Sequence, residues 1–138
     1  MTKPTNPKEA VGIRKPCISV LPFTVISECG VALTEGARKY GRHNYRAMGV
    51  RASTYFDATQ RHLMAWWEGE DIDPDSGLSH VTKAITSLMV LRDAEMQSMC
   101  TDDRPPRSPE GWLKELQPAV DGLFKRHPES AQAFVHKG

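Results

Sequence analysis

The stretch Asp57–His80, DATQRHLMAWWEGEDIDPDSGLSH, is crowded with carboxylates and adds two histidines, an arginine and two tryptophans within 24 positions. Folding alone rarely asks for this mixture, because a buried charge is costly unless it is paired or bound to metal. The residue types suit a site for an anion, a divalent cation and a flat ring.

A second constellation precedes it. Arg38, Lys39, Arg42, His43, Arg46 and Arg51 are interleaved with Tyr40, Asn44 and Tyr45. The bland account is a solvated helix end whose cations suit the dipole. The sharper one is a nucleotide subsite: cations for phosphate, aromatic faces for a base, and an amide for base-edge hydrogen bonds. Upstream, Glu28 and Glu35 stand seven residues apart, about 10 Å along one side of a helix. They are either a solvated face or ligands covered by a neighbouring helix or subunit. Asp57 and Arg61, one turn apart, are open between a surface pair and a functional one. His62 flanks an apolar face and reads first as a structural residue, whereas His80 opens a helix, where anions are attracted.

Asp71, Asp73 and Asp75 spell DxDxDSG, yet an EF-hand loop starting at Asp71 would need glycine where Ser76 stands and glutamate where Thr82 stands. Calcium sensing is therefore rejected. What survives is a carboxylate-rich turn able to hold a hard cation such as Mg²⁺. No P-loop, dinucleotide fingerprint, HExxH or nucleophile elbow occurs.

The elements that must position these groups are helical. Phe23, Ile26, Gly30, Leu33, Ala37 and Tyr40 recur at helical spacing after Pro22, with Gly41 as a stop. Ser53 is expected to cap a second helix with Phe56, Leu63 and Trp67 on one face, ending near Gly69; Trp66 and Trp67 read as core anchors. Ser79 is expected to cap a third, with Val81, Ala84, Ile85, Leu88, Leu91 and Glu95 on one side. No alternating strand pattern competes. The expected organisation is an extended arm over 1–16, a helical domain over 17–100, and a linker with short tail helices over 101–138. In that tail Ser108 and Pro109 open a helix carrying Trp112, Leu113 and Leu116, and Pro118 and Pro128 interrupt the remainder.

At 138 residues the chain suits one core. Eighteen Lys plus Arg against 17 Asp plus Glu leave a net charge of +1, so no overall field favours DNA or a membrane surface. The cysteines Cys17, Cys29 and Cys100 lack CxxC spacing, which argues against a disulfide framework or zinc site. No apolar run approaches the ~18 residues of a membrane span, and the expected compartment is the cytoplasm.

The strings EGARKYGRHNYR and DATQRHLMAWWEGEDIDPDSGLSHVTKAITSLMVL resemble a phage-associated family of small dATP/dGTP diphosphohydrolases, the MazZ type, within the all-α MazG-like nucleoside triphosphate pyrophosphohydrolases. The likeness covers roughly 21–95 and rests on the landmarks KYGxxN and RHLxAWxxGEDxDxxSGxxH. It implies a helical bundle, as a homodimer or homotetramer, that uses Mg²⁺ or Mn²⁺ to cut a deoxypurine triphosphate into monophosphate and pyrophosphate. In phages that replace adenine by 2-aminoadenine, such an enzyme supplies dGMP; for a phage-encoded chain the compartment is the host cytoplasm. The superfamily string EExxE is absent. Residues are carried over only where the smaller family's landmarks match: Lys39, Tyr40, Gly41, Asn44, Arg61, His62, Gly69, Glu70, Asp71, Asp73, Gly77 and His80.

The resulting expectation is that Glu28, Glu35 and Asp57, helped by Asp71 or Asp73, hold divalent cations against the triphosphate. Lys39 and Arg61 contact phosphate, Tyr40, Asn44 and Tyr45 contact base and sugar, and His62 and His80 support them. Glu35, Asp57, Lys39 and Arg61 carry the catalysis. The alternatives are a non-catalytic nucleotide-binding or assembly module, and a small DNA-binding factor using the Arg38–Arg51 patch; no stable nucleic-acid binding is expected.

Overall fold

The computed structural model describes residues 6–136. The chain is all-α, and it divides into two units, Met1–Thr101 and Asp102–Gly138. In the first unit, α1 (Pro7–Gly12) is followed by a 3-10 turn (Ile18–Val20), α2 (Phe23–Tyr40), the single turn α3 (Asn44–Ala47), α4 (Ala52–Trp67) and α5 (His80–Met96). Two-residue strands β1 (Val50–Arg51) and β2 (Cys100–Thr101) pair in parallel, with Val50 opposite Cys100.

Residues 1–5 of the expected arm lie outside the described residues. Over Pro7–Gly12 the arm is helical, not extended: the Asn6 side chain accepts from the Lys8 amide at 2.9 Å and Glu9 reaches back to the Asn6 amide at 3.2 Å. This reciprocal capping box, with proline in the first turn, starts a helix despite the local proline content.

Helix α5 is the centre of the unit, packing against both α2 and α4. Its start is the one expected: the Ser79 hydroxyl accepts from the Val81 and Thr82 amides. Its faces are not. The residues it buries are His80, Thr82, Ala84, Thr86, Val90 and Ala94, while Val81 and Leu88 are exposed. Small side chains let three helix backbones approach closely, and threonines satisfy their own hydroxyls. Thr86 donates to the Lys83 carbonyl at 2.9 Å, and on α4 Thr59 donates to the Tyr55 carbonyl at 2.7 Å.

The same rule turns α2 and α4 from the predicted orientation. On α2 the buried side chains are Cys29 and Ala32, with Ile26, Leu33 and Gly36 half-buried, whereas Phe23 and Gly30 are exposed and Tyr40 is 70% exposed. Helix α4 begins at Ala52 after an Arg51 that makes no side-chain cap, and buries Ala52 and Thr59. Phe56 and Trp67, expected in the core, are 59% and 79% exposed, and Leu63 and Trp66 are exposed as well. Large side chains would hold the helices apart, so they point outward.

Among the described residues, the cluster of ordinary apolar packing lies at the other end of α5. Val50, Val90 and Ala94 are buried there, with Leu33, Tyr45, Tyr55, Leu91 and Cys100 against them. The β1–β2 seam closes over this cluster, and Gly49 makes it possible: at φ +78°, a β-carbon would sit 2.6 Å from the Met99 carbonyl oxygen. Only glycine tolerates both that conformation and that approach.

In the second unit a turn at 110–113 leads into a 3-10 turn (Lys114–Leu116) and α6 (Gln117–Arg126). Pro118 sits in the first turn of α6, where its missing N–H costs nothing, so it starts this helix instead of interrupting it. Ser108 and Pro109 precede the turn and do not open a helix.

Candidate functional site

The polar groups gather around the first turns of α5. His80 is only 5% exposed, yet both ring nitrogens are engaged: Nε2 meets Glu70 Oε1 at 2.6 Å and Nδ1 meets His62 Nδ1 at 2.9 Å. The two rings lie 5.2 Å apart and are tilted by 46°, an edge-on arrangement for a hydrogen bond rather than a stack. Two residues on, the Thr82 hydroxyl donates to Glu28 Oε1 at 2.6 Å, joining α5 to α2. Glu28 therefore faces the helix contact, not the side opposite it, because the packed face of α2 is turned toward Cys29 and Ala32.

Glu35 lies two turns further along α2. Its carboxylate accepts from Lys39 Nζ at 2.9 Å. That hydrogen bond holds Glu35 below the usual carboxylate range, helped by the charge of Lys83 and opposed by desolvation and by Asp73. Lys39 is raised in turn, chiefly by the same bond. Glu35, Lys39, Lys83 and Asp73 thus share one electrostatic neighbourhood, contributed by α2, α5 and the loop between α4 and α5.

That loop is built around Asp73. Its carboxylate accepts from the Asp75 amide at 3.0 Å and the Ser76 hydroxyl at 3.1 Å, and its own N–H donates to the Leu78 carbonyl at 2.8 Å. Ile72 bridges Ser79, and the Asp71 carbonyl accepts from the His80 amide at 3.0 Å. Burial would raise Asp73, but those two hydrogen bonds, with His62 and His80 nearby, outweigh it and hold the carboxyl low. His62 is pushed below the ordinary histidine value by burial first, then by His80, Lys83 and Arg61, with Asp73 opposing.

Beside this group a groove of about 890 Å³ opens between α2, α3 and α5. Its floor is the small-residue face of α2, including Gly30, Thr34 and Gly36; its walls include Tyr40, Asn44, Tyr45, Tyr55 and Lys83. His43 also lines it, held at φ 66° in the left-handed region. The volume is that of a typical small-molecule site. Lys83 lines the groove and also acts on Glu35 and His62, so groove and charged group are contiguous.

The structure thus brings Glu35, Lys39, Asp73, His62 and His80 together, and sets Tyr40, Asn44 and Tyr45 on the adjoining groove. Glu28 stands nearby on the α2–α5 contact. Asp57 and Arg61 are exposed on α4, and Asp57 is not among the charges that perturb Glu35, His62 or Asp73. Of the basic patch, Arg46 is committed elsewhere, forming a two-pronged pair with Asp93 at 2.7 and 3.0 Å. Among the described residues no three histidine, cysteine, aspartate or glutamate side chains converge as a metal cage. The two carboxylates of this neighbourhood whose charges act on each other are Glu35 and Asp73. Two carboxylates are the number Mg²⁺ takes when substrate phosphates and water complete its shell.

Lys83 and Tyr55 escaped the sequence reading. Lys83 carried a signal: it is the one cation among Thr82, Ala84 and Thr86, on a helix turn that starts at His80. Tyr55 carried none, because the face to which it belongs was phased around Phe56.

Comparison with known proteins agrees with the landmarks in the sequence. The sequence profile of a family described as dATP/dGTP diphosphohydrolase, N-terminal, matches residues 5–104. A protein of Salmonella phage PMBT28 named dATP/dGTP diphosphohydrolase is 29% identical over 87 residues, which cover 63% of this chain and 29% of that protein. The chain therefore spans well under half the length of this relative. No solved structure matches. With the family profile spanning the site from α2 through α5, the chain belongs to the dATP/dGTP diphosphohydrolase N-terminal family.

Proposed function

We propose that this protein hydrolyses deoxypurine nucleoside triphosphates, dGTP and dATP, to the monophosphate and pyrophosphate, with Mg²⁺ or Mn²⁺ as cofactor. The observation that carries this reading is the continuity of the aromatic and amide-lined groove with the Glu35–Asp73–His62 group through Lys83. The family membership and the name of the phage relative support it. In a phage with 2-aminoadenine DNA, the dGMP released would feed synthesis of the modified base.

In this reading the base and sugar lie in the groove against Tyr40, Asn44 and Tyr45. The polyphosphate points toward Lys83 and Lys39, whose ammonium groups stabilise charge developing on the leaving pyrophosphate. A divalent ion arriving with the triphosphate would be held by Glu35 and Asp73, and when bound it would polarise the phosphoryl oxygens. Glu35 must then exchange its bond to Lys39, which frees that ammonium for phosphate. Arg61, on the exposed side of α4, is assigned to the substrate through the family landmarks, and Asp57, assigned to metal from helix faces alone, would reach the site only from a second subunit.

The protein is proposed to work as a homodimer or homotetramer. Phe56, Leu63 and Trp67 form an outward apolar row on α4 that one copy leaves uncovered, and an isologous contact between two such rows would cover it.

The test is to incubate each dNTP with Mn²⁺ or Mg²⁺ and separate the products chromatographically. The expected outcome is dGMP and dAMP with equimolar pyrophosphate. If every dNTP stays intact, the chain is a nucleotide-binding or assembly module instead.

A further inference from the structure

We propose that the chain Glu70–His80–His62 locks His62 in the tautomer that carries its proton on Nδ1, so that Nε2 offers its lone pair as the proton acceptor in the hydrolysis. This deepens the functional reading above and rests on it.

Counting donors assigns each proton. An ionised carboxylate can only accept, so at 2.6 Å from Glu70 Oε1 the His80 Nε2 must be the donor. With His80 neutral, its Nδ1 then holds a lone pair. At 2.9 Å from that lone pair, His62 Nδ1 must be a donor in its turn. A neutral His62 has a single ring proton, and it is now spent. Its Nε2 is left as an acceptor on a half-buried ring that feels both Asp73 and Lys83, the charged members of the site. A histidine that merely filled space between α4 and α5 would not need a buried second histidine anchored by a carboxylate.

The step balances without a further reactant. A water oxygen bonds to the α-phosphorus as the bond from that phosphorus to the bridging oxygen breaks, and pyrophosphate leaves with the electron pair. The water proton passes to His62 Nε2 while the His62 Nδ1 proton passes to His80 Nδ1. The positive charge then resides on His80, directly against Glu70, instead of on a ring that burial disfavours as a cation. His80 and Glu70 are positioning residues: they touch no substrate, and they act through His62, as the third member of a catalytic triad acts through its histidine.

Two measurements on the full chain test this. Long-range ¹H–¹⁵N correlation on protein labelled at histidine nitrogen, at pH 8 where ordinary imidazoles are neutral, should show His62 protonated on Nδ1 and bare on Nε2, and His80 the reverse. His62→Gln should lower kcat for dGTP about 10²–10⁴-fold, the range for a lost general base, with KM within about threefold. Glu70→Ala, at a side chain 54% exposed and so tolerable to the fold, should lower kcat about tenfold and release His62 into a tautomer mixture. A purely structural Glu70 would not move that mixture. A wild-type His62 with its proton on Nε2 overturns the proposal whether or not any variant folds, and so does a His62→Gln enzyme of undiminished kcat. If the wild type hydrolyses no dNTP at all, the functional reading and the acceptor role fail together; the wrong tautomer in an active enzyme removes the relay alone.

Discussion

The two halves of α5 are packed by different rules. Around its first turns the buried or half-buried groups include His80, Thr82, Lys83 and Thr86 beside the apolar Ala84 and Ile85, and the polar ones reach α2, α4 or the loop through hydrogen bonds or charge. Around its last turns the buried groups are Val90 and Ala94, sealed by β1, β2, Tyr45 and Tyr55. One helix thus carries a polar end, at which the proposed site lies, and an apolar end with the hydrophobic cluster. The charged groups of the polar end, Glu35 and Lys83, are not part of its buried contact face, so changes at them should spare the fold, while changes at the apolar end should spare the chemistry.

The largest expected effect is on activity at the polar end. Glu35→Gln removes a carboxylate that no described apolar group depends on, and kcat for dGTP should fall about 10²–10³-fold with the melting temperature unmoved. Lys83→Met is next, lowering kcat/KM about 10²-fold, as expected when a phosphate-facing cation is lost, again without a stability loss. Unfolding of either variant at room temperature would break the division of labour.

Gly49→Ala probes the opposite end. The new β-carbon meets the Met99 carbonyl oxygen at 2.6 Å and the residue is held at a positive φ, so the β1–β2 seam must open at a cost of about 1–3 kcal/mol. Urea denaturation should report that loss, while the specific activity of the folded fraction stays at the wild-type value.

Much of this division could be read from the sequence, but not the faces on which it depends. The three long helices, the Ser79 cap, the Gly41 stop and the landmark residues of the proposed site were legible, because caps and glycines act locally, while α1, α3 and the start of α6 at Pro118 were not. The phasing of α2 and α4 was not. Periodicity assigns the core to the largest apolar side chains, Phe23, Phe56 and Trp67, whereas here the contact faces are Cys29, Ala32, Ala52 and Thr59. A row of small residues has almost no hydrophobic signature, so the sequence points to the outward face instead. That error also displaced Glu28: turning α2 toward Cys29 brings this glutamate onto Thr82. The outward row then needs its own explanation. Phe56→Glu, or Trp67→Glu, should shift a concentration-dependent oligomer to the monomer in sedimentation, and an unchanged sedimentation profile would leave the α4 row without a second copy to cover it.

The smallest expected effect is the pH response of the polar end. Burial depresses His62 below its unfolded value, so the folded state prefers the neutral ring. Its contribution to stability is therefore complete above the unfolded value of about 6.5 and is lost as pH falls from there through the folded value, because the unfolded chain binds the proton more readily. Asp73 behaves likewise in a lower window, since its depressed folded value makes its contribution complete above about pH 4 and lost below it. Urea midpoints of the wild type should therefore be level above about pH 7 and decline in two stages on acidification. His62→Gln should remove the first stage and leave the second. At the apolar end burial raises Tyr55 above its ordinary value and the Arg46 hydrogen bond holds Asp93 low, so that end should contribute to the second, carboxylate stage but not to the first. A wild-type midpoint that falls as pH rises from 5 to 7 would mean that His62 is more stable as the cation in the folded protein, and the neutral polar end would be wrong.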